Sequence, residues 1–150
     1  MSISEQHLQS SLNNILPIKN DKGLVIIELQ QAEVWLKGSS HQIELVSEVA
    51  VRSFGHKEQG NLHVAATPVY HADSGCLYFT NIEVLGLKVP GIPRKYVRKI
   101  NKLAGKLLTK ALEDQPVYQL SDDWSIESVA KATLTSLTVE EGELVLNFGW

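Results

Sequence analysis

The stretch from Gly23 to Val89 alternates apolar and polar residues with a period of two, and short turn segments interrupt it. This pattern is typical of β-strands that bury one face and expose the other. The first strand, Leu24–Leu36, changes the phase of its alternation near Gln30 and Gln31, which predicts a β-bulge. The connections between strands are too short to hold a crossover helix, so the sequence predicts an antiparallel meander.

Three further strands follow the first. Their apolar positions are Ile43, Leu45, Val49 and Val51 in the second, Leu62, Val64 and Ala66 in the third, and Leu77, Phe79, Leu85, Leu87 and Val89 in the fourth. Because side chains of one parity point to one face of a strand, we expect each set to face the core. The lone Cys76 begins the fourth strand and is interpreted as a small core residue, which leaves no partner for an internal disulfide.

A long amphipathic helix is predicted from Pro93 to about Leu112. Pro90 and Pro93 end the sheet, and proline is favoured in the first turn of a helix. At about 100° per residue the apolar residues share one arc, and they are Ile92, Tyr96, Val97, Ile100, Leu103, Ala104, Leu107, Leu108 and Ala111. The opposite arc holds half of the chain's 14 basic residues, namely Arg94, Lys95, Arg98, Lys99, Lys102, Lys106 and Lys110. No acidic residue occurs between Glu83 and Glu113.

Two interpretations of this basic arc stay open. In the first, the helix belongs to the core and its lysine-rich back is simply solvated. In the second, the arc contacts an anionic surface, either phospholipid head groups or lipopolysaccharide phosphates. Nucleic acid is not predicted as a partner, because the net charge of the chain is -3 and no aromatic residue interrupts the basic arc to stack on bases.

The two ends of the chain complete the predicted fold. Ser4 is the expected N-cap of a first helix over residues 5–16, which Pro17 ends. After the long helix, residues 115–120 are predicted as a short edge strand and residues 121–133 as a second short helix. The chain ends in a predicted hairpin, whose facing apolar residues are Leu137 and Val139 on one strand and Leu144, Leu146 and Phe148 on the other. The fold class is therefore α+β, with an antiparallel sheet of about six to seven strands, formed by the meander and the hairpin, one long helix and two shorter ones.

The composition indicates one soluble domain that covers residues 1–150. The chain is 43% apolar and 21% charged, which is ordinary for a globular protein and excludes disordered and fibrous classes. A chain of this size can bury roughly 70% of the surface that its unfolded state exposes. No segment approaches the roughly 20 apolar residues that a membrane-spanning helix needs.

No motif of enzyme chemistry is present. The chain contains no phosphate-binding loop, no dinucleotide glycine fingerprint and no nucleophile elbow. Its five histidines are never spaced i, i+4, and none lies beside a cysteine. The sequence therefore predicts no catalytic residue, no metal site and no cofactor. An enzyme whose catalytic residues are distant in the sequence stays a third alternative.

Several local strings occur in an order and spacing that resemble a known family. They are Ile3-Ser4-Glu5-Gln6, the Ala-Ala-Thr-Pro-Val-Tyr of residues 65–70, Asp73-Ser74-Gly75, Ile82-Glu83-Val84, the Gln-Pro-Val-Tyr-Gln-Leu of residues 115–120, and residues 139–148. Together they resemble the YceB-like family of bacterial lipoproteins over essentially the whole chain. The resemblance implies an exported periplasmic protein that an acylated cysteine, upstream of these residues, anchors to the outer membrane. It also implies a fold similar to half of a tubular lipid-binding (BPI-like) domain, in which a curved antiparallel sheet wraps a long helix and leaves an apolar groove.

We therefore expect a non-enzymatic cell-envelope protein that binds or transfers a lipid or another apolar ligand between the long helix and the sheet. The candidate ligand-binding residues are Tyr96, Ile100, Leu103 and Leu107 on the helix and Phe54, Phe79, Leu87 and Phe148 on the sheet. The candidate contacts to a head group or an anionic surface are Arg94, Arg98 and Lys102. The alternative is an envelope scaffold with a closed core and no ligand, which meets a protein partner through a sheet edge or through exposed tryptophans such as Trp35, Trp124 and Trp150.

Overall fold

The computed structural model describes residues 2–20, 23, 25–37, 41–53, 55–71, 74–119 and 133–149, with the backbone alone for residues 133–135, 148 and 149. In this part of the chain the fold is α+β. The strands are β1 Ser2–Ser4, β2 Ile18–Lys19, β3 Val25–Trp35, β4 Ile43–Ser53, β5 His56–His71, β6 Cys76–Lys88, β7 Tyr118–Gln119, β8 Thr133–Glu140 and β9 Glu143–Gly149. The helices are α1 Glu5–Ile15 and α2 Arg94–Asp114.

The larger sheet is an antiparallel meander of six strands. Its order is β2-β3-β4-β5-β6-β7, so every strand pairs with its neighbour in the sequence. This confirms the predicted topology, including β7 at the edge. The register between β3 and β4 shifts between Leu29 and Ala32, which confirms the predicted bulge.

The β6 strand differs from its predicted parity at one position. Leu77 is fully buried, as expected, but Leu85 is 48% exposed. The register with β5 shifts twice along β6, and Asn81 takes a left-handed φ of 50° between the two ends of the strand. Each shift reverses the face to which the following side chains point, so Ile82 and Val84 turn to the core instead. The expectation that Leu85 faces the core is therefore wrong.

The C-terminal hairpin forms a second sheet instead of extending the first. Leu137 is opposite Leu146 and Val139 is opposite Leu144, as predicted, whereas Phe148 is opposite Leu134. The sheet order is β1-β9-β8, with Ile3 opposite Leu144. The single sheet of about six to seven strands that includes the hairpin is thus corrected to two sheets. The short strand β1 pairs with β9 at one edge of the hairpin, and no described pairing joins β8 or β9 to the larger sheet.

Helix α1 begins as predicted. The Ser4 hydroxyl accepts a hydrogen bond from the His7 N–H at 3.2 Å, so Ser4 is the N-cap. Leu8 and Leu12 on one face of the helix are fully buried in the core. The predicted first helix is confirmed.

Helix α2 has the two faces that its sequence predicts. Ile100, Ala104, Leu108 and Leu112 are buried, and α2 packs mainly against β6 with further contacts to β3 and β2. All seven basic residues of the helix are exposed. Neither helix in the described ranges is long and apolar enough to cross a lipid bilayer.

Two other predictions have different outcomes. Cys76 is a free, buried thiol, which confirms its interpretation as a core residue. The second short helix is predicted over residues 121–133. Residues 121–132 lie outside the described part of the chain, and Thr133 begins β8.

Candidate functional site

A cavity of about 490 Å³ lies where the first turns of α2 approach the ends of three strands, β3, β4 and β5. Its apolar lining consists of Val25, Val51, Ile92, Pro93, Tyr96 and Ile100, and its polar lining of Ser53, His56, Glu58 and Lys99. Val51 and Ile100 are buried, whereas Tyr96 and Lys99 are exposed. The cavity therefore runs from the core to the protein surface, with an apolar interior and a polar rim, and this shape suits an apolar chain that carries a polar end.

The meander brings the strand ends of the cavity together. Val25 at the start of β3 is opposite Ser53 at the end of β4. Ser53 is in turn opposite His56 at the start of β5. Three neighbouring strands thus contribute residues at one end of the sheet, and α2 covers that end.

The turn before α2 fits closely against Glu58. Gly91 has a φ of 90°, and a Cβ placed on it would lie 2.7 Å from the Glu58 Oε1 atom. A residue with a side chain would be strained at this φ and would also displace the carboxylate. Glycine at position 91 therefore allows the Glu58 side chain to pack on the turn at the rim of the cavity.

A second, more open groove of about 580 Å³ runs between α2 and β6. Its apolar floor is formed by Ile82 and Val84 on β6. The α2 residues along it are Arg98, Asn101, Lys102, Gly105, Lys106, Thr109, Lys110 and Glu113. The helix approaches the strand closely here, since a Cβ on Gly105 would lie 3.4 Å from the Val84 Cγ2 atom.

The predicted ligand-binding residues do not all lie at the cavity. Tyr96 and Ile100 line it. Leu103, Leu107 and Leu87 are half-buried and pack against the core, and the Phe79 side chain is fully buried. Phe54 lies outside the described residues, and only the backbone of Phe148 is described. Of the six predicted residues whose side chains the structure describes, two line this cavity.

The predicted head-group residues also divide between places. Arg94 is exposed on the first turn of α2, and Arg98 and Lys102 lie along the second groove. Among the described residues that line the cavity, the lysine is Lys99. The sequence places Lys99 in the basic arc but does not single it out, because a helical projection does not show where the neighbouring strands end.

Several lining residues were not predicted from the sequence. Val51 was expected to face the core, and the sequence analysis assigned no role to Val25 or Glu58. One available signal was the Pro90-Gly91 turn, which marks the point where the chain leaves the sheet and crosses over its end. In the described ranges no group of three or more histidine, cysteine or acidic side chains is placed to hold a metal ion.

Comparison with protein-family models matches residues 3–143 to DUF1439, a family described as a protein of unknown function. This match covers most of the chain. The protein belongs to the DUF1439 family. No curated protein matches the chain. The family assignment therefore carries no activity, and the function of this DUF1439 protein has to be argued from its geometry.

Proposed function

We propose that this DUF1439 protein is a non-enzymatic cell-envelope protein that binds an acyl chain or a similar apolar ligand in the cavity at the start of α2. The observation that carries the proposal is the cavity of about 490 Å³ with an apolar interior and a polar rim. Ligand sites for small molecules commonly have volumes of about 300 to 1,000 Å³ and a mostly apolar lining. The cavity has both properties.

The expected affinity follows from the apolar surface that the ligand buries. Each methylene moved out of water contributes about 0.8 kcal/mol, so about ten methylenes contribute about 8 kcal/mol before the cost of association. Affinity from the cavity alone is therefore micromolar or weaker. The Lys99 ammonium at the rim suits a carboxylate or phosphate at the polar end of the ligand.

The position of the cavity restricts the proposal to one end of α2. Beyond Ile100 the buried face of the helix continues through Ala104, Leu108 and Leu112, all of which belong to the packed core. We therefore assign the ligand site, expected between the helix and the sheet, to the cavity at the first turns of α2. This arrangement supports a ligand that inserts one chain end rather than lying along the entire helix.

The YceB-like resemblance belongs to the same proposal. On this proposal the sheet is the curved half of a tubular lipid-binding domain, and the natural gene product is an acylated periplasmic protein at the outer membrane. Fractionation of cells labelled with radioactive palmitate tests the location. Label on the protein in the outer-membrane fraction supports it, and unlabelled protein in the cytoplasm contradicts it.

A scaffold without ligand is the second candidate function. Trp35 supports it, because its side chain is 39% exposed on the sheet. Large exposed aromatic residues are common at protein interfaces. Trp124 and Trp150, the other candidates for this role, lie outside the described residues.

Displacement of a fluorescent fatty acid, measured with a cavity-filling variant, separates the two functions. Val25 is half-buried and lines the cavity, so Val25→Phe fills part of the space. Val46 is also half-buried, but it lies on the face of β4 opposite to that of the cavity-lining Val51, so Val46→Phe is the matched control. We expect wild type and Val46→Phe to bind the probe and Val25→Phe to lose at least about tenfold in affinity. Equal binding by both variants would remove the cavity as the site, and no binding by wild type would favour the scaffold.

A further inference from the structure

Seven basic side chains of α2 form a continuous exposed surface, which we name the cationic flank. Its members are Arg94, Lys95, Arg98, Lys99, Lys102, Lys106 and Lys110. Among the residues that the structure describes, none of the seven is ion-paired with a carboxylate. The cations of the flank are therefore open to an external anion.

The spacing of these charges destabilises the helix that carries them. Arg94, Arg98, Lys102, Lys106 and Lys110 follow one another at i, i+4, and like charges at this spacing repel. The first turn of α2 also contains no acidic residue, and cations there oppose the helix dipole. An anionic surface outside the protein would relieve both effects.

The α2–β6 groove beside the flank is lined by residues that suit a lipid head group. Its floor of Ile82 and Val84 is apolar, and four of the flank's cations lie along it, whereas Glu113 is the one acidic residue among the described residues that line it. Cations suit a phosphodiester, and the apolar floor suits the first carbons of a chain.

An exposed aromatic residue lies at the start of the flank. The Tyr96 side chain is 43% exposed, and the Lys95 Nζ atom lies 5.0 Å from the centre of its ring. Tyrosine and lysine side chains are amphipathic and favour the boundary between lipid and water. Tyr96 thus adds an interfacial anchor to the electrostatic attraction.

We propose that the cationic flank docks the protein on a bilayer of anionic phospholipid, with the α2–β6 groove receiving phosphodiester head groups. The docking goes beyond the proposed ligand binding and does not require it. One consequence does rest on that function: Tyr96 and Lys99 also line the cavity, so docking through the flank brings the cavity opening to the lipid. Duplex DNA is the less favoured partner, because the whole chain carries 17 acidic side chains against 14 basic ones.

Co-sedimentation with vesicles tests the docking directly. The probes are vesicles of phosphatidylglycerol with phosphatidylcholine and vesicles of phosphatidylcholine alone, in about 0.05 M and about 0.5 M NaCl. The test variant is Lys102→Gln/Lys106→Gln/Lys110→Gln, whose positions lie along the groove and away from the cavity. The control is Arg52→Gln/Lys57→Gln/Lys88→Gln, three exposed positions on β4, β5 and β6 with the same change in net charge.

We expect wild type and the control variant to bind anionic vesicles in low salt and to leave neutral vesicles unbound. Three basic residues near an anionic membrane contribute about fivefold each, so the test variant should bind about 100-fold more weakly. Circular dichroism checks that both variants are folded. The proposal is overturned if wild type does not bind anionic vesicles, or if the test and control variants lose the same affinity for them. It is also overturned if wild type binds duplex DNA more tightly than it binds the vesicles.

A parallel measurement separates this proposal from the ligand-binding function. The fluorescent fatty acid is titrated into the test variant without vesicles. Normal fatty-acid binding with lost vesicle binding assigns docking to the flank and ligand binding to the cavity. Vesicle binding by a protein that takes up no fatty acid would keep the docking and remove the ligand-binding function.

Discussion

The side-chain oxygen of Asn13 accepts a hydrogen bond from the backbone N–H of Ala32 at 3.1 Å. A second such bond joins the Glu5 carboxylate to the N–H of Leu36 at 3.0 Å. Both donors belong to the stretch that follows Leu29, the last β3 residue paired with β2. Helix α1 therefore replaces β2 as the partner of this edge, with side-chain acceptors in place of a neighbouring strand.

Removal of the Asn13 acceptor should destabilise the fold. Asn13→Ala leaves the Ala32 N–H without this bond in a part-buried position, at a cost of about 1 kcal/mol. Alanine also raises helix propensity, so the exposed neighbour Asn14 supplies the control, because Asn14→Ala receives the same gain without the loss. Urea unfolding of the two variants measures the difference. Equal stability of the two would show that the bond contributes nothing.

Two leucines of β6 that share a parity should respond differently to truncation. Leu77 is 1% exposed in the core, so Leu77→Ala should lower the free energy of unfolding by about 2 to 5 kcal/mol. Leu85 is 48% exposed, so Leu85→Ala should change it by no more than about 0.5 kcal/mol. Chemical denaturation of both variants is the measurement. A large loss at position 85 would mean that the β6 bulges are misplaced.

Gly60 should not tolerate a side chain, whereas Gly86 should. A Cβ on Gly60 would overlap the Lys88 carbonyl oxygen and lie 2.8 Å from the Val89 Cα atom. Backbone atoms cannot move aside easily, so Gly60→Ala should cost about 1 to 3 kcal/mol. A Cβ on Gly86 would meet no atom within 4 Å, so Gly86→Ala should stay within about 0.5 kcal/mol of wild type. Thermal unfolding of the two variants is the measurement. Equal midpoint temperatures for both would contradict the close approach of Gly60 to β6.

The ion pair of Glu44 should make the free energy of unfolding depend on pH in the acid range. The Lys37 ammonium, at 2.9 Å, lowers the pKa of the Glu44 carboxyl by its hydrogen bond and its charge, against the opposing effect of burial. His63, also at 2.9 Å, lowers this pKa further.

A carboxyl whose pKa is lower in the folded state stabilises the fold above its unfolded pKa, and this contribution is lost as the pH falls through the folded value. The free energy of unfolding of wild type should therefore exceed that of Glu44→Gln by at most about 1 kcal/mol near pH 7. The difference should shrink below about pH 5, where unfolded glutamate begins to take up protons. Urea unfolding of both proteins, from about pH 7 down through the acid range below about pH 5, measures this difference. A difference that grows in acid would reverse the assigned sign.

Local patterns predicted most of the elements, because each depends on neighbours in the sequence. The Ser4 cap, the β3 bulge and the Pro93 start of the long helix all follow from the preferences of a few adjacent residues. The pairing of β1 with the hairpin could not be found in this way. Three residues are too few for a strand pattern, and Ser2–Ser4 pair with residues at the other end of the chain.

The candidate site was predicted only in part for the same kind of reason. A helical projection identifies Tyr96 and Ile100 as residues of the apolar arc, but it cannot say that the sheet ends beneath them. The face taken by Leu85 likewise depends on two register shifts against β5. The one local hint of these shifts is Asn81, which has a left-handed φ, because asparagine adopts this conformation more readily than most residues.

The amino-acid order by itself determined the antiparallel meander and a long helix with one apolar and one basic face, since periodicity and short connections are properties of contiguous residues. The tertiary structure decided where the apolar face is closed and where it opens. Val25, Glu58 and Lys99 line one cavity because of the strand register and the placement of the helix. Those relationships join residues distant in the chain, so no local pattern encodes them.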